Sequence, residues 1–500
     1  MEISFENKVF SSYREISHQV KRIQETAESV VPDTNDDIGK IASVQTAVFL
    51  KSKDVNSRGV VVTGEARAAL IYVTESEREV SYVRLSKQFT LEYDIGEVDA
   101  GTVAQVKLSI QNCQANVLNP RKVSVVFDLA GELSCYMQEN IVAETDIPEA
   151  TPQGLHAKYE SLELSLPCAV AEKTFTVNEQ HPFSSGKPRA KELVSQNIDI
   201  TLSDCQIIGT KVVIKGSVNL TVCYLSDEVN YPVKADFSSP FSQIIDTMEE
   251  NMDSCRAIIE LTSAYCDIID TINGEKALDA EIHGVLQIVS SSKHKIKYIS
   301  DAYSNLMPAK CITETKKINT VSDVQQTKLI SDERINVVED CSDVLSVFSS
   351  VTQLNIQSNK ITAAVSLDII YRTVNGTLSA VRRLVNMENE CSSTTMSLTS
   401  AALTDIYLRP DGPYIDSHLA VEVNYQCCSS MEIERVTSVE LDEEHSFDFS
   451  RFPAVSLVRV EKESLWELSK QYHSSVEAIK SMNDIEEETE NKLLLIPKEI

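Results

Sequence analysis

Apolar and polar residues alternate along much of the chain with a period of two, which is typical of half-buried β-strands. The clearest case is the segment 212–224, in which six apolar side chains point to one face: Val212, Ile214, Val218, Leu220, Val222 and Tyr224. The polar side chains of Lys215, Asn219 and Thr221 point to the opposite face. This pattern predicts an antiparallel strand with one face in a core.

The same strand pattern occurs three times. The segments 60–72, 212–224 and 361–371 align on Tyr72, Tyr224 and Tyr371, which are 152 and 147 residues apart. A repeat of this length predicts three copies of one folded module.

A small residue stands eight positions before each tyrosine: Gly64, Gly216 and Ala363. A small residue inside a strand predicts a β-bulge or a close approach of another group to the backbone.

Each copy also carries a turn signal between two further alternating segments. These turns are Asn119–Lys122, Asn273–Lys276 and Pro410–Pro413. Strands joined by hairpin turns predict a mainly β fold of three repeated antiparallel β-sandwich-like modules.

Four other stretches interrupt the alternation. The segments 37–44 and 342–348 have a helix-like spacing before the first and third copies, and Tyr13–Ser29 is helix-like as well. Tyr13–Ser29 and the polar stretch Gln180–Glu192 are each interpreted as an interface or a linker.

The C-terminal residues follow a different, β-α-α-β pattern. An acidic stretch, Glu440–Glu444, precedes it and predicts a linker. Ser464 and Glu467 have the spacing of a capping box, and Leu465, Leu468 and Tyr472 then follow one face of a helix. Ser475 is expected to cap a second helix, and the segment 491–497 is expected to close the unit as a strand.

This C-terminal pattern resembles a LysM domain. The matching residues are Ser464–Tyr472, Ser475–Ile479, Asn483 and Leu494–Pro497. The resemblance implies binding of N-acetylglucosamine-containing glycans through the loops 461–465 and 483–485. The partner- or glycan-binding residues expected from those loops are Lys462, Glu463, Ser464, Leu465, Asn483, Asp484 and Ile485.

Two departures from the LysM pattern favour a protein partner over a sugar. Lys462–Ser464 replaces the usual Gly-Asp-Thr, and the second loop, Asp484–Glu488, contains four carboxylates. Glycan sites favour amides, backbone groups and an apolar platform. For the same reason we expect the single tryptophan, Trp466, to pack in a core rather than stack on a sugar.

The β modules resemble the SPOCS domain of spore-coat proteins in the segments 29–38, 60–64 and 70–73. SPOCS repeats followed by a LysM domain are similar to the organisation of the SipL family of coat morphogenetic proteins. The expected division is therefore a first SPOCS-like module at 1–150, a second at 151–305, a third at 306–438, an acidic linker at 439–455 and a LysM domain at 456–500.

The resemblance implies a non-enzymatic scaffold in the mother-cell cytoplasm that tethers the coat to the forespore surface. Its implied partner is the coat-basement sporulation ATPase, of the stage IV sporulation protein A type, with the LysM as recognition module. The alternative is a coat or cortex protein that binds peptidoglycan through the LysM.

Charge and composition exclude several other classes. The formal charge of −29 argues against nucleic acid or an anionic membrane as the main partner. The N-terminus does not resemble a signal peptide, and no apolar segment approaches the ~18–20 residues of a membrane span. The twelve cysteines and eight histidines lack metal-ligand spacing, so we expect free thiols and neither a metal nor a cofactor.

One sequence feature resembles a nucleophile. Cys341 lies in an Asp-Cys-Ser triplet like that of NlpC/P60 peptidases, and His418 could supply a base. Glu339 and Asp340 precede the cysteine, and their charges would raise its pKa rather than favour thiolate. We therefore expect no peptidase site.

Overall fold

A computed structural model describes residues 2–75, 79–148, 154–357, 360–390, 396–451, 453–460, 463–485 and 493–499. The described chain is mainly β, as the alternation predicts, and its strands pair antiparallel. The strands before the C-terminal unit are β1 (Glu2–Ser4), β2 (Glu6–Val30), β3 (Ile38–Asn56), β4 (Gly59–Thr74), β5 (Val80–Asp94), β6 (Val103–Asn119), β7 (Lys122–Asp146), β8 (Leu155–Pro182), β9 (Glu192–Ile208), β10 (Lys211–Leu225), β11 (Val233–Asp246), β12 (Ser254–Asp270), β13 (Lys276–Ser304), β14 (Ala309–Gln357), β15 (Lys360–Thr373), β16 (Leu378–Glu390) and β17 (Met396–Leu441).

The strands form three units with one pairing order. In the first unit the sheets are β2-β7-β6 and β3-β4-β5, and in the second they are β8-β13-β12 and β9-β10-β11. In the third unit β14 pairs with β17 along its first half and with β15 along its second half, and β15 pairs with β16. Each unit encloses its own apolar core, as alternating strands require.

The tyrosine-containing segments are the middle strands β4, β10 and β15, as their alternation predicts. Tyr72, Tyr224 and Tyr371 are fully buried. The Tyr72 hydroxyl donates to the carbonyl oxygen of Asp36 at 3.0 Å, and the Tyr224 hydroxyl to that of Pro188 at 2.9 Å. These bonds hold the loop before β3 or β9 against the strand that carries the tyrosine.

Both expectations for the small residues are confirmed. The strand paired with each of them bulges beside it, at the steps Leu50–Ser52, Leu202–Asp204 and Val351–Gln353. A Cβ on Gly64 would lie 2.4 Å from the Phe89 ring, and one on Gly216 would lie 2.4 Å from the Thr201 carbonyl oxygen.

The first two predicted turns join strands as predicted, whereas the third, Pro410–Pro413, lies within β17. Asn119 and Lys122 are paired across the first turn, and Asp270 and Lys276 across the second. Gly274 in the second turn and Gly412 within β17 have φ of +75° and +57°, which is the conformation that favours glycine.

The helix-like interpretations are wrong. Tyr13–Ser29 lies in strand β2, segment 37–44 runs into strand β3, and segment 342–348 lies in strand β14. The stretch Gln180–Glu192 includes the end of β8, a loop and the first residue of β9, while β17 extends to Leu441, into the expected acidic linker.

The three units close into a ring through equivalent serines. Ser43, Ser195 and Ser346 each pair with the residue that precedes the buried tyrosine of their unit. Ser43 Oγ donates to Asp368 of the third unit at 2.9 Å, Ser195 Oγ to Gln45 of the first, and Ser346 Oγ to the Pro232 carbonyl oxygen of the second at 2.5 Å. Every unit therefore contacts both others.

Apolar clusters fill the contacts between units. One cluster at the centre of the ring takes residues from all three: Ala42, Ile71, Val73, Val194, Cys223, Phe348, Ile370, Leu378 and Ala380. A second joins the long outer strands: Phe10, Ile141, Ala143, Leu164, Leu166, Ile296 and Ile318. Strand β1 pairs with residues 438–440 of β17, so the N-terminus is attached to the third unit.

Candidate interaction site in the C-terminal unit

The C-terminal unit consists of β18 (Val455–Arg459), α1 (Leu465–Gln471), α2 (Val476–Asn483) and β19 (Leu493–Pro497). Strands β18 and β19 pair antiparallel, and both helices pack on one side of them. The buried residues of this unit are Val460, Leu465, Leu468, Ile479, Leu494 and Ile496.

Both predicted helix caps are present. Ser464 Oγ accepts from the Glu467 backbone N–H at 3.2 Å, and Glu467 Oε2 accepts from the Ser464 backbone N–H at 2.9 Å. This reciprocal pair is a capping box. Ser475 Oγ accepts from the Ala478 backbone N–H at 3.1 Å and starts α2.

Most of the described residues of the first predicted loop are engaged within the unit. Lys462 lies outside the described residues. Glu463 is exposed, whereas the Ser464 side chain is engaged in the capping box and Leu465 is a core residue. Among the described residues of this loop, only Glu463 is fully on the surface.

The second predicted loop is also largely structural. The Asn483 Nδ2 group donates to the carbonyl oxygens of Ile479 and Leu495, and its Oδ1 accepts from the Leu495 backbone N–H at 2.7 Å. Asp484 has a φ of +50° and caps α2, while Ile485 packs on the core. Residues 486–488, the rest of the acidic loop, lie outside the described residues.

The C-terminal unit docks on the second unit through Asp301, at the end of β13. Asp301 Oδ2 accepts from the Trp466 indole N–H at 2.8 Å, and both Asp301 oxygens lie within 3.0 Å of Lys470 Nζ. Burial alone would raise the Asp301 pKa, but the hydrogen bonds from Trp466 and Lys470 outweigh it and lower that pKa. The carboxylate is therefore held ionised between the two units.

Tyr303 forms the rest of this contact. Its ring meets the Trp466 ring edge-on at 4.8 Å, and its hydroxyl donates to the Ser474 carbonyl oxygen at 2.6 Å. Burial raises the pKa of Tyr303 to about 12. Trp466 thus packs between units rather than in the core of its own unit, and no pattern around Asp301 or Tyr303 marks them as its partners in advance.

Cys341 lacks the surroundings of a nucleophile. It is buried in the core of the third unit, and burial, followed by the nearby Asp343 charge, raises its thiol pKa. His418 Nδ1 contacts Asp332 at 2.6 Å rather than the cysteine. Neither residue is placed for acyl transfer.

The described residues form neither a membrane-spanning helix nor a metal-binding cluster. None of the helices in the described ranges has the length and hydropathy needed to cross a bilayer. Within the same ranges, no group of three or more His, Cys, Asp or Glu side chains is arranged to hold a metal ion.

Two segments of the chain match the same family of known proteins. Residues 37–118 and 189–269 match the family described as SipL, SPOCS domain. They cover β3–β6 of the first unit and β9–β12 of the second, which are equivalent strands of the repeat. No curated protein and no solved structure matches the chain. The chain thus carries two segments that are similar to the SPOCS domain of the SipL family.

Proposed function

We propose that this protein is a non-enzymatic scaffold of spore-coat assembly. The observation that carries the proposal is the double match to the SipL SPOCS domain. The closed ring of three units supports it, because a ring with a docked C-terminal unit holds a binding surface in a fixed position. The buried polar side chains at the contacts within the ring join one unit to the next.

The domain division that goes with this function is the one expected from the repeats: 1–150, 151–305, 306–438, a linker at 439–455 and a LysM domain at 456–500. The recurring strand order supports the three β modules. The β-α-α-β order and both helix caps support the LysM assignment.

The proposed partner is the coat-basement sporulation ATPase of the stage IV sporulation protein A type, bound through the C-terminal unit. The protein would act in the mother-cell cytoplasm, at the forespore surface, and would tether the coat there. Non-enzymatic tethering agrees with the buried position of Cys341 and with its raised thiol pKa.

Peptidoglycan binding through the same unit is the rival function. The contacts of Asn483 and Leu465 weigh against it, because both groups are already used inside the unit. Glycan sites need polar groups that face the ligand.

Affinity capture from sporulating-cell extract tests the proposal. The full chain should recover the coat-basement ATPase, and a chain that lacks residues 455–500 should lose nearly all of it. Retention by the shortened chain would transfer the partner site to the β units, and no recovery by either chain would contradict the adaptor function.

Titration of the full chain with chitin oligomers tests the rival. We expect no heat of binding and no change in the emission of Trp466, the single tryptophan of the chain. Saturable binding that is lost on removal of residues 455–500 would favour the glycan function.

A further inference from the structure

The sheet of the C-terminal unit has an apolar outer face. Leu494 and Ile496 of β19 point toward the helices and are buried, so the alternate residues point outward. Those outward residues are aliphatic and largely exposed: Val455 at 41%, Leu457 at 66%, Leu493 at 64% and Leu495 at 42%. Leu457 and Leu495 are directly paired, so the four side chains form one continuous patch.

This patch remains exposed while the unit is docked on the ring. The docking contacts come from α1 and from the segment before α2, through Trp466, Lys470 and Ser474. The sheet face lies on the side of the unit opposite the helices, and no part of the described chain covers it. A contiguous aliphatic patch on a protein surface is typical of an interaction site.

One charge lies within the patch. Arg459 is paired with Leu493 across the sheet and is exposed. It forms no ion pair with any other residue in the described ranges. In a chain with a net charge of −29, an arginine beside leucines is complementary to a partner carboxylate.

The way in which a partner can contact this sheet is also restricted. Asn483 occupies both the backbone N–H and the carbonyl oxygen of Leu495. A partner strand therefore cannot extend the sheet beyond β19 at this residue, although strand addition is common at open sheet edges. On the β19 side of the sheet, the contact that remains for a partner is with the side chains of the face.

We propose that this sheet face, rather than the two helix loops, binds the partner of the scaffold. The inference rests on the proposed function and specifies its surface. The partner presents an aliphatic strip with a carboxylate opposite Arg459. A second copy of the chain fits less well, because two copies with −29 charges repel one another.

Direct binding of the purified full chain to the purified coat-basement ATPase tests this surface. Leu457→Thr combined with Leu493→Thr should weaken binding by roughly tenfold or more, because each leucine loses the burial that the complex provides. Arg459→Gln should weaken binding by a smaller factor, and its effect should shrink at high salt, as a screened charge pair requires.

Matched variants separate this surface from others. Leu118→Thr combined with Leu384→Thr changes two leucines that are 51% and 46% exposed in the β units, and it should leave binding unchanged. Asp484→Asn, in the helix loop, should also leave it unchanged. Unaltered Trp466 emission and unfolding temperature would show that every variant keeps the fold and the docked unit.

The other outcomes overturn the proposal in distinguishable ways. Normal binding by the leucine variant together with weakened binding by Asp484→Asn would assign the site to the loops and leave the scaffold function intact. Failure of the unaltered chain to bind the ATPase would contradict the scaffold function itself. A dimer of the unaltered chain that the leucine variant converts to monomer, measured by sedimentation, would assign the face to self-association.

Discussion

At the scale of single residues, the first and third repeats differ by one methyl group at an equivalent position, where one has Gly64 and the other has Ala363. Gly64 pairs with Phe89, whereas the equivalent Ala363 pairs with Met387. The flexible methionine leaves room for a Cβ, and the Phe89 ring, 2.4 Å from a Cβ built on Gly64, does not.

Gly64→Ala should therefore destabilise the first unit by roughly 1–3 kcal/mol through overpacking. Gly64→Ala combined with Phe89→Met, which recreates the pair of the third unit, should recover most of that loss. Thermal unfolding followed by circular dichroism measures both. Equal unfolding temperatures for the unaltered chain and the single variant would contradict the account of this position.

Sequence patterns predict the structural role of a residue when that role depends on nearby residues of the chain or on the paired strand. The capping box of Ser464 and Glu467 and the bulge beside Gly64 depend on neighbours in the chain or on the paired strand. The contact of Trp466 with Asp301 joins residues 165 positions apart. Nothing in the sequence near either residue shows that contact, so the sequence predicts core packing for Trp466 instead.

At the scale of elements, bulges explain two of the three wrong helix interpretations, those of the segments 37–44 and 342–348. β3 bulges at the steps Ile38–Lys40 and Ile41–Ser43, and β14 does so at Cys341–Asp343 and Val344–Ser346. Two bulges three residues apart shift the alternation twice and produce apolar spacings of three and four. Such spacings resemble those of a helix.

The first and second units also join along the edge of strand β6. Gln287 of the second unit accepts from the Val106 backbone N–H at 2.9 Å and donates to its carbonyl oxygen at 2.8 Å. Glu260 Oε2 accepts from the Leu108 backbone N–H at 3.1 Å. These side chains satisfy the open edge of β6, which would otherwise be available to another strand.

Glu260 makes this contact dependent on pH. Burial raises its pKa from 4.5 to about 8, against smaller opposite effects of the Leu108 N–H and of Lys107, while Glu132 raises it further. The folded state therefore holds the proton more tightly than the unfolded chain. Stability should be highest below about pH 4.5 with respect to this group and should fall as the pH rises to about 8.

Glu260→Gln should remove this dependence, since an amide keeps the acceptor for Leu108 without a charge. At pH 8 the variant should be more stable than the unaltered chain, by an amount on the order of 2 kcal/mol. Urea unfolding at several pH values between 5 and 8, at constant ionic strength, measures the difference. Parallel stability curves for the two proteins would contradict this role of Glu260.

At the scale of the whole molecule, the three units form one body. The serines at equivalent positions of the units, Ser43, Ser195 and Ser346, each bond to a different group: a carboxylate, an amide and a backbone carbonyl. The sequence shows the repeat but not the ring, because the acceptors are not equivalent residues. The packing of the units thus depends on tertiary contacts that no local pattern encodes.

The outer sheet face of the C-terminal unit differs in charge from the molecule as a whole. Carboxylates account for the net −29, while the outer sheet face of the C-terminal unit combines four aliphatic side chains with Arg459. That contrast makes this face the clearest candidate surface for a partner that presents aliphatic side chains and a carboxylate.

The central claim is that the C-terminal unit attaches the coat to the forespore. Electron microscopy of sporulating cells whose only copy of this protein lacks residues 455–500 tests it most directly. The account predicts coat material that accumulates away from the forespore surface, while the same protein with Leu118→Thr and Leu384→Thr supports a normal coat. A coat that surrounds the forespore normally in cells with the shortened protein would contradict it.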